Sequence, residues 1–150
     1  MTKLVIYDSV YGNTKLIAQN IAKNISAKVI NINDLKNSDL DNLNLLVVGT
    51  PTYGGQATPK IQQLVKNLSK DLLNNTKVAV FDTRLLEKDL NFALKMLIKT
   101  IGYAAPKIAN LLSDKGAKII VSPEGFIVKG KEGPLAPGEL DRAKDWLKNV

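Results

Sequence analysis

Short apolar runs bounded by turn residues are the strongest pattern in this chain. Several are almost continuous in valine, isoleucine and leucine, as expected for strands of a parallel sheet that is covered by helices on both faces. Strands of an antiparallel sandwich would alternate more regularly between apolar and polar residues. The predicted strands are residues 3–7, 28–32, 43–49, 77–81 and 117–121.

Between the predicted strands, apolar residues recur at helical spacing. The Asn13-Thr14 pair precedes the first of these stripes, and Pro59, a residue type that suits the first turn of a helix, opens another. The last helix is predicted to begin around residues 137–139. The stripes are Ile17, Ile21 and Ile25; Ile61, Leu64, Val65 and Leu68; and Leu140, Ala143 and Leu147.

This alternation of strands and helices predicts an α/β fold. Five strands, each followed by a helix and joined by right-handed crossovers, fit a doubly wound five-stranded parallel sheet in the order 2-1-3-4-5, with helices on both faces. A length of 150 residues with 45% hydrophobic content favours a single domain, 1–150. Ligands bind such sheets beyond the carboxyl ends of strands 1 and 3. The loops of interest are therefore 8–14, 50–58 and the segment from Asp82 onward.

The composition removes the commonest catalytic side chains. The chain has no cysteine and no histidine, which excludes disulfides, thiolate nucleophiles, cysteine-ligated iron–sulfur clusters and imidazole bases. Redox chemistry would need an organic cofactor or a carboxylate-bound metal. No residue is assigned as catalytic or metal-ligating.

The positive charge is spread along the chain. The net charge is +7, lysines usually have an acidic neighbour and aromatic residues make up only 5%, a pattern typical of a solvated surface and not of a nucleic-acid site. The charge makes acidic proteins candidate partners. No apolar run is long enough to span a membrane or to form a signal peptide, so we expect a cytoplasmic protein, monomeric or weakly dimeric.

The loop after the first strand has the composition of an anion site. Residues 8–14, D-S-V-Y-G-N-T, run into a helix whose start carries unpaired backbone N–H groups and a partial positive charge. Gly12 allows an unusual backbone conformation, while Ser9, Asn13 and Thr14 offer side-chain donors. Taken alone, the same residues would also suit a simple helix cap after a turn.

The stretch V-I-Y-D-S-V-Y-G-N-T-K resembles the phosphate loop of the flavodoxin family, and the similarity extends along the chain. It implies a flavodoxin-like fold of the short type and flavin mononucleotide (FMN) as a non-covalent cofactor. Many flavodoxins have threonine where this chain has Tyr11. The phosphate contacts implied by the resemblance are Ser9, Val10 through its backbone, Tyr11, Gly12, Asn13 and Thr14.

The loop after strand 3 is expected to meet the flavin ring. It places one aromatic residue, Tyr53, near the point where the sheet topology reverses, and stacking on a flat heterocycle would stabilise binding by about 1 kcal/mol beyond buried area. The resemblance implies that the peptide after this aromatic can turn its carbonyl toward flavin N5, a place matched by Gly54-Gly55. The predicted contacts are Thr50, Pro51, Thr52, Tyr53, Gly54 and Gly55.

The segment after strand 4 departs from the family pattern. Short flavodoxins often carry a second stacking tyrosine there, and this chain has Leu85 or Leu86 instead. Backbone groups of Asp82 and Thr83 are expected at the pyrimidine end of the ring. Arg84 is either a cation near flavin N1, worth about 3 kcal/mol at roughly 5 Å, or a surface residue paired with an acid of the following segment, Glu87 or Asp89.

Residues 85–112 are longer than one connecting helix requires. Gly102 and Pro106 predict a break, so that one part is the helix after strand 4 and the other an addition beside the flavin. Phe92 and Met96 lie off the stripe and are interpreted as core in preference to a lid. The stripe itself is Leu90, Leu94, Leu97 and Ile101.

Three functions follow from these features. The first is an electron carrier in which FMN shuttles electrons between redox partner proteins. The second is an FMN-dependent NAD(P)H or quinone reductase, with Arg84 and residues 85–101 holding a substrate. The third is a phosphate-binding or interaction domain that has lost its flavin.

Overall fold

The computed structural model describes residues 2–85 and 91–150. The strands are β1 (Thr2–Tyr7), β2 (Lys28–Asn31), β3 (Leu43–Pro51), β4 (Lys77–Leu85), β5 (Lys118–Ile119) and β6 (Glu124–Val128). The helices are α1 (Asn13–Ile25), α2 (Pro59–Asn67), α3 (Lys70–Asn74), α4 (Phe92–Ile101), α5 (Ala104–Asp114) and α6 (Glu139–Trp146).

The sheet has the predicted topology. Its order is β2-β1-β3-β4, with β5 and β6 both beside β4, and each of these pairings is parallel. One core lies on the face covered by α2 and α5 and includes Leu4, Ile6 and Val48. The other lies under α1 and α6 and includes Val5 and Val47. Consecutive residues of β1 thus face opposite cores, which explains its uninterrupted apolar run.

The fifth strand is split, which the sequence analysis did not predict. Ile120 still donates its backbone N–H to Val78 at 3.0 Å, but regular pairing resumes only at β6, where Phe81 of β4 faces Glu124. Pro123 lies in the gap and has no N–H to donate to the sheet. The predicted strand 117–121 is therefore only the first part of the edge.

The predicted helix between β2 and β3 is also wrong. Two short 3₁₀ turns, Ile32–Asp34 and Asn37–Leu40, occupy this connection. Side chains bind the local backbone: Asn31 accepts from the N–H of Asn33 at 2.9 Å, and Asp39 accepts from the N–H of Lys36 at 2.8 Å. Such bonds satisfy the backbone outside an α-helix and favour turns.

Strand β4 is longer than predicted, and its last part carries Asp82, Thr83 and Arg84 to the carboxyl ends of the strands. Thr50 pairs with Asp82 and Pro51 with Thr83, while β6 pairs along the opposite side. These residues therefore belong to a strand and not to a loop. No helix within residues 2–85 and 91–150 is long and apolar enough to cross a membrane.

An aromatic cluster fixes the end of the chain on the sheet. Phe81, Phe126 and Trp146 meet edge to face with ring centroids 5.8–6.1 Å apart, the arrangement that aromatic pairs prefer. A Cβ atom at Gly49 would overlap the Phe81 ring. Glycine in β3 is thus what lets this ring pack across the sheet.

An ionic cluster holds the start of α6 against β6. Glu139 accepts hydrogen bonds from the Ile127 N–H at 2.6 Å and from Arg142 at 2.8 Å, and Arg142 also reaches Glu124 at 2.8 Å. Burial raises the pKa of Glu139, but the hydrogen bonds from Arg142 and Ile127 lower it by more than burial raises it. The pKa of Glu139 therefore lies below its usual value.

This pKa shift predicts a specific loss of stability in acid. Because the folded pKa is depressed, ionised Glu139 stabilises the fold above the unfolded pKa of about 4.3, and the contribution disappears as pH falls through the folded value. The stability difference between wild type and Glu139→Gln should therefore be constant near neutral pH and shrink as the pH falls below about 5 in urea titrations. The exposed Glu132→Gln variant is the control, and an equal pH response in both variants would refute the role of Glu139.

Candidate functional site

The loop between β1 and α1 forms an open helix start. Gly12, with φ of 96°, precedes α1 and provides no side-chain cap. The Ser9 hydroxyl accepts from the N–H groups of Gly12 at 3.1 Å and Lys15 at 3.3 Å. Asp8 is buried and accepts from the Ser9 N–H at 2.9 Å. The loop therefore concentrates N–H groups and a hydroxyl at the positive end of a helix, where an anion is stabilised.

Two side chains tie this loop to other parts of the sheet edge. The hydroxyls of Thr14 and Thr83 lie 2.8 Å apart in a buried hydrogen bond. The Asn13 amide donates to the Glu132 carbonyl at 3.1 Å. A Cβ atom at Gly133 would crowd the Asn13 side chain within 2.6 Å. The loop after β6 thus packs directly on the helix start.

The loop after β3 ends in a tight hairpin. Tyr53 and Gln56 exchange both backbone hydrogen bonds at 3.0 Å, and Gly54 and Gly55 between them have φ of 55° and 77°. Two positive φ values in a row are what a two-residue hairpin of this kind needs, and glycine adopts them without strain. The base of the loop is fixed by Thr52, whose N–H donates to Thr83 and whose hydroxyl accepts from the Ala104 N–H.

Two tyrosines face the same cleft between these loops. Tyr11 is 41% exposed and Tyr53 is 38% exposed, so each presents a large part of its surface to solvent. Burial raises the pKa of the Tyr53 hydroxyl, and the nearby Tyr11 and Asp8 raise it further. Tyr53 is therefore an uncharged phenol at neutral pH. Tyr11 and Tyr53 both line the cleft.

Arg84 has a partner that neither interpretation of the sequence included. Its Nε and Nη2 donate to the two carboxylate oxygens of Asp82 at 2.7 Å each, and its guanidinium lies 3.7 Å from the centre of the Tyr103 ring. Asp82 is fully buried and also accepts from the Ala105 N–H at 2.9 Å. Glu87 and Asp89, the predicted alternatives, lie outside the described residues. The charge of Arg84 is thus largely balanced by Asp82 before any ligand arrives.

The three segments enclose an open cleft at the carboxyl edge of the sheet. The cleft has a volume of about 70 Å³ and is open to solvent. Two lining residues, Val128 and Lys131, were missed by the sequence analysis; the K-G-K-E-G-P turn was the signal available. The lining residues are Ser9, Val10, Tyr11, Asn13, Thr14, Pro51, Thr52, Tyr53, Thr83, Arg84, Leu85, Val128 and Lys131.

Five of the fifteen predicted site residues do not line the cleft. Asp82 and Thr50 are fully buried, Gly12 is the left-handed residue directly before α1, and Gly54 and Gly55 form the tip of the hairpin. Leu85 takes the predicted place of an outer aromatic, while Leu86 lies outside the described residues. The structure thus brings ten of the fifteen predicted residues to one cavity wall.

The connection after β4 breaks as predicted, between α4 and α5. The interpretation of Phe92 and Met96 as core is wrong, because Phe92 is 78% exposed and Met96 is 48% exposed. Leu97 of the predicted stripe is also half exposed, and Leu90 lies outside the described residues. α5 is the helix that packs on the sheet, through Ile108 and Leu112. α4 is therefore the addition, and it exposes Phe92, Met96 and Leu97 to solvent.

The loop sequence and the fold agree with a comparison against family models. A model described as a flavodoxin domain matches residues 4–114. The chain belongs to the flavodoxin family. Membership of this family makes FMN its cofactor, as the phosphate loop implied. No curated protein matches the chain.

Solved flavodoxin structures share the architecture of this family member. A flavodoxin from the domain Archaea is 20% identical, with a TM-score of 0.74 over 96% of this chain and 92% of that one. The flavodoxin of Megasphaera elsdenii is 16% identical, with a TM-score of 0.70 over 99% and 100%. The rubredoxin:oxygen oxidoreductase of Desulfovibrio gigas is 16% identical, with a TM-score of 0.70 over 95% of this chain and 33% of that one. These likenesses confirm the predicted doubly wound sheet.

The residues of this flavodoxin cleft fit FMN chemically. The start of α1, with its backbone N–H groups, the Ser9 hydroxyl and the Asn13 amide, suits a phosphate. Tyr11 and Tyr53 offer ring faces to a flat heterocycle. The cleft lining within the described residues contains no carboxylate, and the carboxylate of Asp8, at the start of the same loop as Ser9, is buried and accepts the Ser9 N–H. An anion at one end and an aromatic ring at the other are what this cavity can accommodate.

Proposed function

We propose that this chain is an electron carrier that binds FMN in the cleft and passes electrons between redox partner proteins. The observation that carries the proposal is the cleft itself, which joins the start of α1 to two exposed tyrosines at the carboxyl edge of the sheet. Bound FMN supplies the redox chemistry. The protein has only to hold the cofactor, shape its surroundings and leave one edge open.

Each group of residues has a distinct task in this proposal. The phosphate is held by Ser9, Asn13 and Thr14 together with backbone N–H groups of residues 10–12. Tyr53 and Tyr11 cover the ring, and the hairpin tip at Gly54 approaches its edge. Asp82 acts only through its backbone, because its side chain is committed to Arg84 and Ala105.

The same ion pair changes the expected effect of Arg84 on the cofactor. A free cation near the ring would favour electron uptake by several kcal/mol, whereas a cation paired at 2.7 Å with a buried carboxylate leaves mainly a dipole. We therefore expect Arg84 to matter more for the shape of the cleft wall than for its charge.

The partner surface is proposed to be the cleft mouth together with α4. α4 exposes Phe92, Met96 and Leu97, carries Lys95 and Lys99, and has no acidic residue between Phe92 and Ile101. Lys131 adds positive charge at the cleft itself. An acidic redox protein with an apolar centre fits this surface. Its rate of electron exchange with the loaded protein should fall steeply as ionic strength rises.

A reductive titration separates a carrier from a reductase. Dithionite should bleach the FMN-loaded protein quickly. NADPH alone should bleach it at least about a thousand times more slowly, because an electron carrier does not need a binding site for nicotinamide. Rapid bleaching by NADPH without a partner protein would contradict the carrier and establish the FMN-dependent reductase. A protein that fails to take up FMN would contradict both.

A further inference from the structure

The glycine hairpin after Tyr53 contains two peptide groups that differ in how they are held. The Gly55–Gln56 peptide is bonded at both ends. Its N–H, on Gln56, donates to the Tyr53 carbonyl at 3.0 Å, and its carbonyl, on Gly55, accepts from the ammonium group of Lys107 at 2.7 Å. Lys107 belongs to α5 and reaches the hairpin from outside the loop.

Packing adds to this restraint on Gly55. A Cβ atom at Gly55 would overlap the Ile101 side chain and lie 3.0 Å from the Gly102 carbonyl. The residue is therefore pressed against the junction between α4 and α5. The same junction donates the Ala104 N–H to Thr52 at 3.1 Å, at the base of the loop. One side of the hairpin is thus docked on a helix pair.

The Gly54–Gly55 peptide is held much less. A Cβ atom at Gly54 would meet nothing within 4 Å. Neither the Gly54 carbonyl nor the Gly55 N–H has a hydrogen-bond partner in the part of the chain that the structure describes. Glycines on both sides of this peptide remove the steric cost of rotating it.

We infer that Lys107 is a positioning residue for the flavin loop. By holding the Gly55 carbonyl, Lys107 confines rotation of the hairpin to the Gly54–Gly55 peptide. The carbonyl of that peptide, on Gly54, is then kept presented toward the ring edge. The inference rests on the proposed FMN-binding function. It adds a residue outside all three cleft loops that controls how the hairpin responds to reduction.

The chain offers a matched control on the same helix. Lys115, at the end of α5, also donates its ammonium group to backbone carbonyls, those of Val65 at 2.9 Å and Lys66 at 2.8 Å. It has the same charge and the same kind of bond as Lys107, but it holds α2 and not the hairpin. Lys107→Met and Lys115→Met therefore remove equal charges, but the first releases the hairpin carbonyl of Gly55 and the second releases two carbonyls of α2.

The first experiment measures the two one-electron potentials of FMN-loaded wild type and variants by spectroelectrochemical titration. In Lys107→Met we expect the two potentials to move closer together. The ratio of the equilibrium constants of the first and second reduction steps should fall about three- to tenfold, which corresponds to the loss of one hydrogen bond. Lys107→Arg should restore most of the separation, and Lys115→Met should leave it unchanged. Unchanged potentials in Lys107→Met, or an equal change in Lys115→Met, would overturn the inference.

The second experiment needs no cofactor. Amide hydrogen exchange of Gln56 in the flavin-free protein should be about two- to tenfold faster in Lys107→Met than in wild type and unaffected in Lys115→Met. Exchange in β1 and β3 reports whether the variant is folded, and Lys107→Gln replaces Lys107→Met if it is not. Faster Gln56 exchange in a protein that takes up no FMN would keep the hairpin role and reject the proposed function. Unchanged exchange would reject the role of Lys107 itself.

Discussion

Replacing Asp82 with alanine is expected to lower the free energy of unfolding by about 3–5 kcal/mol, the usual cost of breaking a buried ion pair. The side chain is fully buried, and its two oxygens together accept three hydrogen bonds, two from Arg84 and one from the Ala105 N–H. Its removal leaves a largely buried guanidinium without its carboxylate and the start of α5 without an acceptor. Urea denaturation at neutral pH measures the loss.

An exposed ion pair provides the control for Asp82. Asp145 lies 3.6 Å from Lys148 with both side chains more than half exposed, and Asp145→Ala should change stability by no more than about 1 kcal/mol. Asp82→Asn should fall between the two, because its amide oxygen still accepts from Ala105. A loss for Asp82→Ala as small as that for Asp145→Ala would mean that the pair does not anchor this edge of the sheet.

Replacing Ser9 with aspartate is expected to weaken FMN binding at least about 100-fold. The new carboxylate would occupy the open start of α1, accept the Gly12 and Lys15 N–H groups that Ser9 now holds, and repel the phosphate. Repulsion between two charges about 4–5 Å apart at an effective dielectric near 20 is on the order of 3–4 kcal/mol, which exceeds a 100-fold change. Fluorescence titration of the flavin measures the affinity.

The same substitution should move stability in the opposite direction. An aspartate at a helix start stabilises the flavin-free protein by roughly 0.3–1 kcal/mol, so weaker binding cannot be attributed to unfolding. Ser9→Ala, which removes a hydroxyl without adding charge, should weaken FMN binding only about tenfold. Riboflavin, which has no phosphate, should bind Ser9→Asp and wild type alike. An equal loss of riboflavin affinity would place the phosphate elsewhere.

The order of the sheet and the two main loops were predictable because they depend on local pattern. A strand that is buried on both faces is a continuous apolar run and does not alternate between apolar and polar residues. In β1, for example, Leu4 and Ile6 pack in one core and Val5 packs in the other. The loop at 8–14 combines small donors with a helix start, and its role in holding the phosphate stays a prediction. That the whole chain forms one domain stays a prediction.

The end of β4 was not predictable from apolar pattern, since its residues are polar and yet buried. Thr83 is satisfied by Thr14 and Asp82 by Ala105, partners that lie far away in sequence. One signal was present: residues two apart on a strand share a face, so extending the strand through Arg84 would have paired it with Asp82. Distant contacts decided the rest.

The exposure of side chains on α4 and the place of Lys131 in the cleft were also not predictable from the sequence. Periodicity says that a helix has an apolar face, but not whether a neighbour covers it. Phe92 and Met96, which lie off the predicted stripe, were interpreted as core, and the structure leaves them in solvent. Lys131 enters the cleft only because the turn after β6 packs on Asn13.

We propose that the cleft holds FMN by its phosphate at residues 8–14 and by its ring between Tyr11 and Tyr53. Titration of the purified flavin-free protein with FMN and, separately, with riboflavin measures whether both parts of the cofactor are bound in this way. We expect saturation at one FMN per chain, with FMN bound at least about 100-fold more tightly than riboflavin. Failure to bind FMN, or equal affinity for the two flavins, would contradict the assignment of the loop and of the cleft.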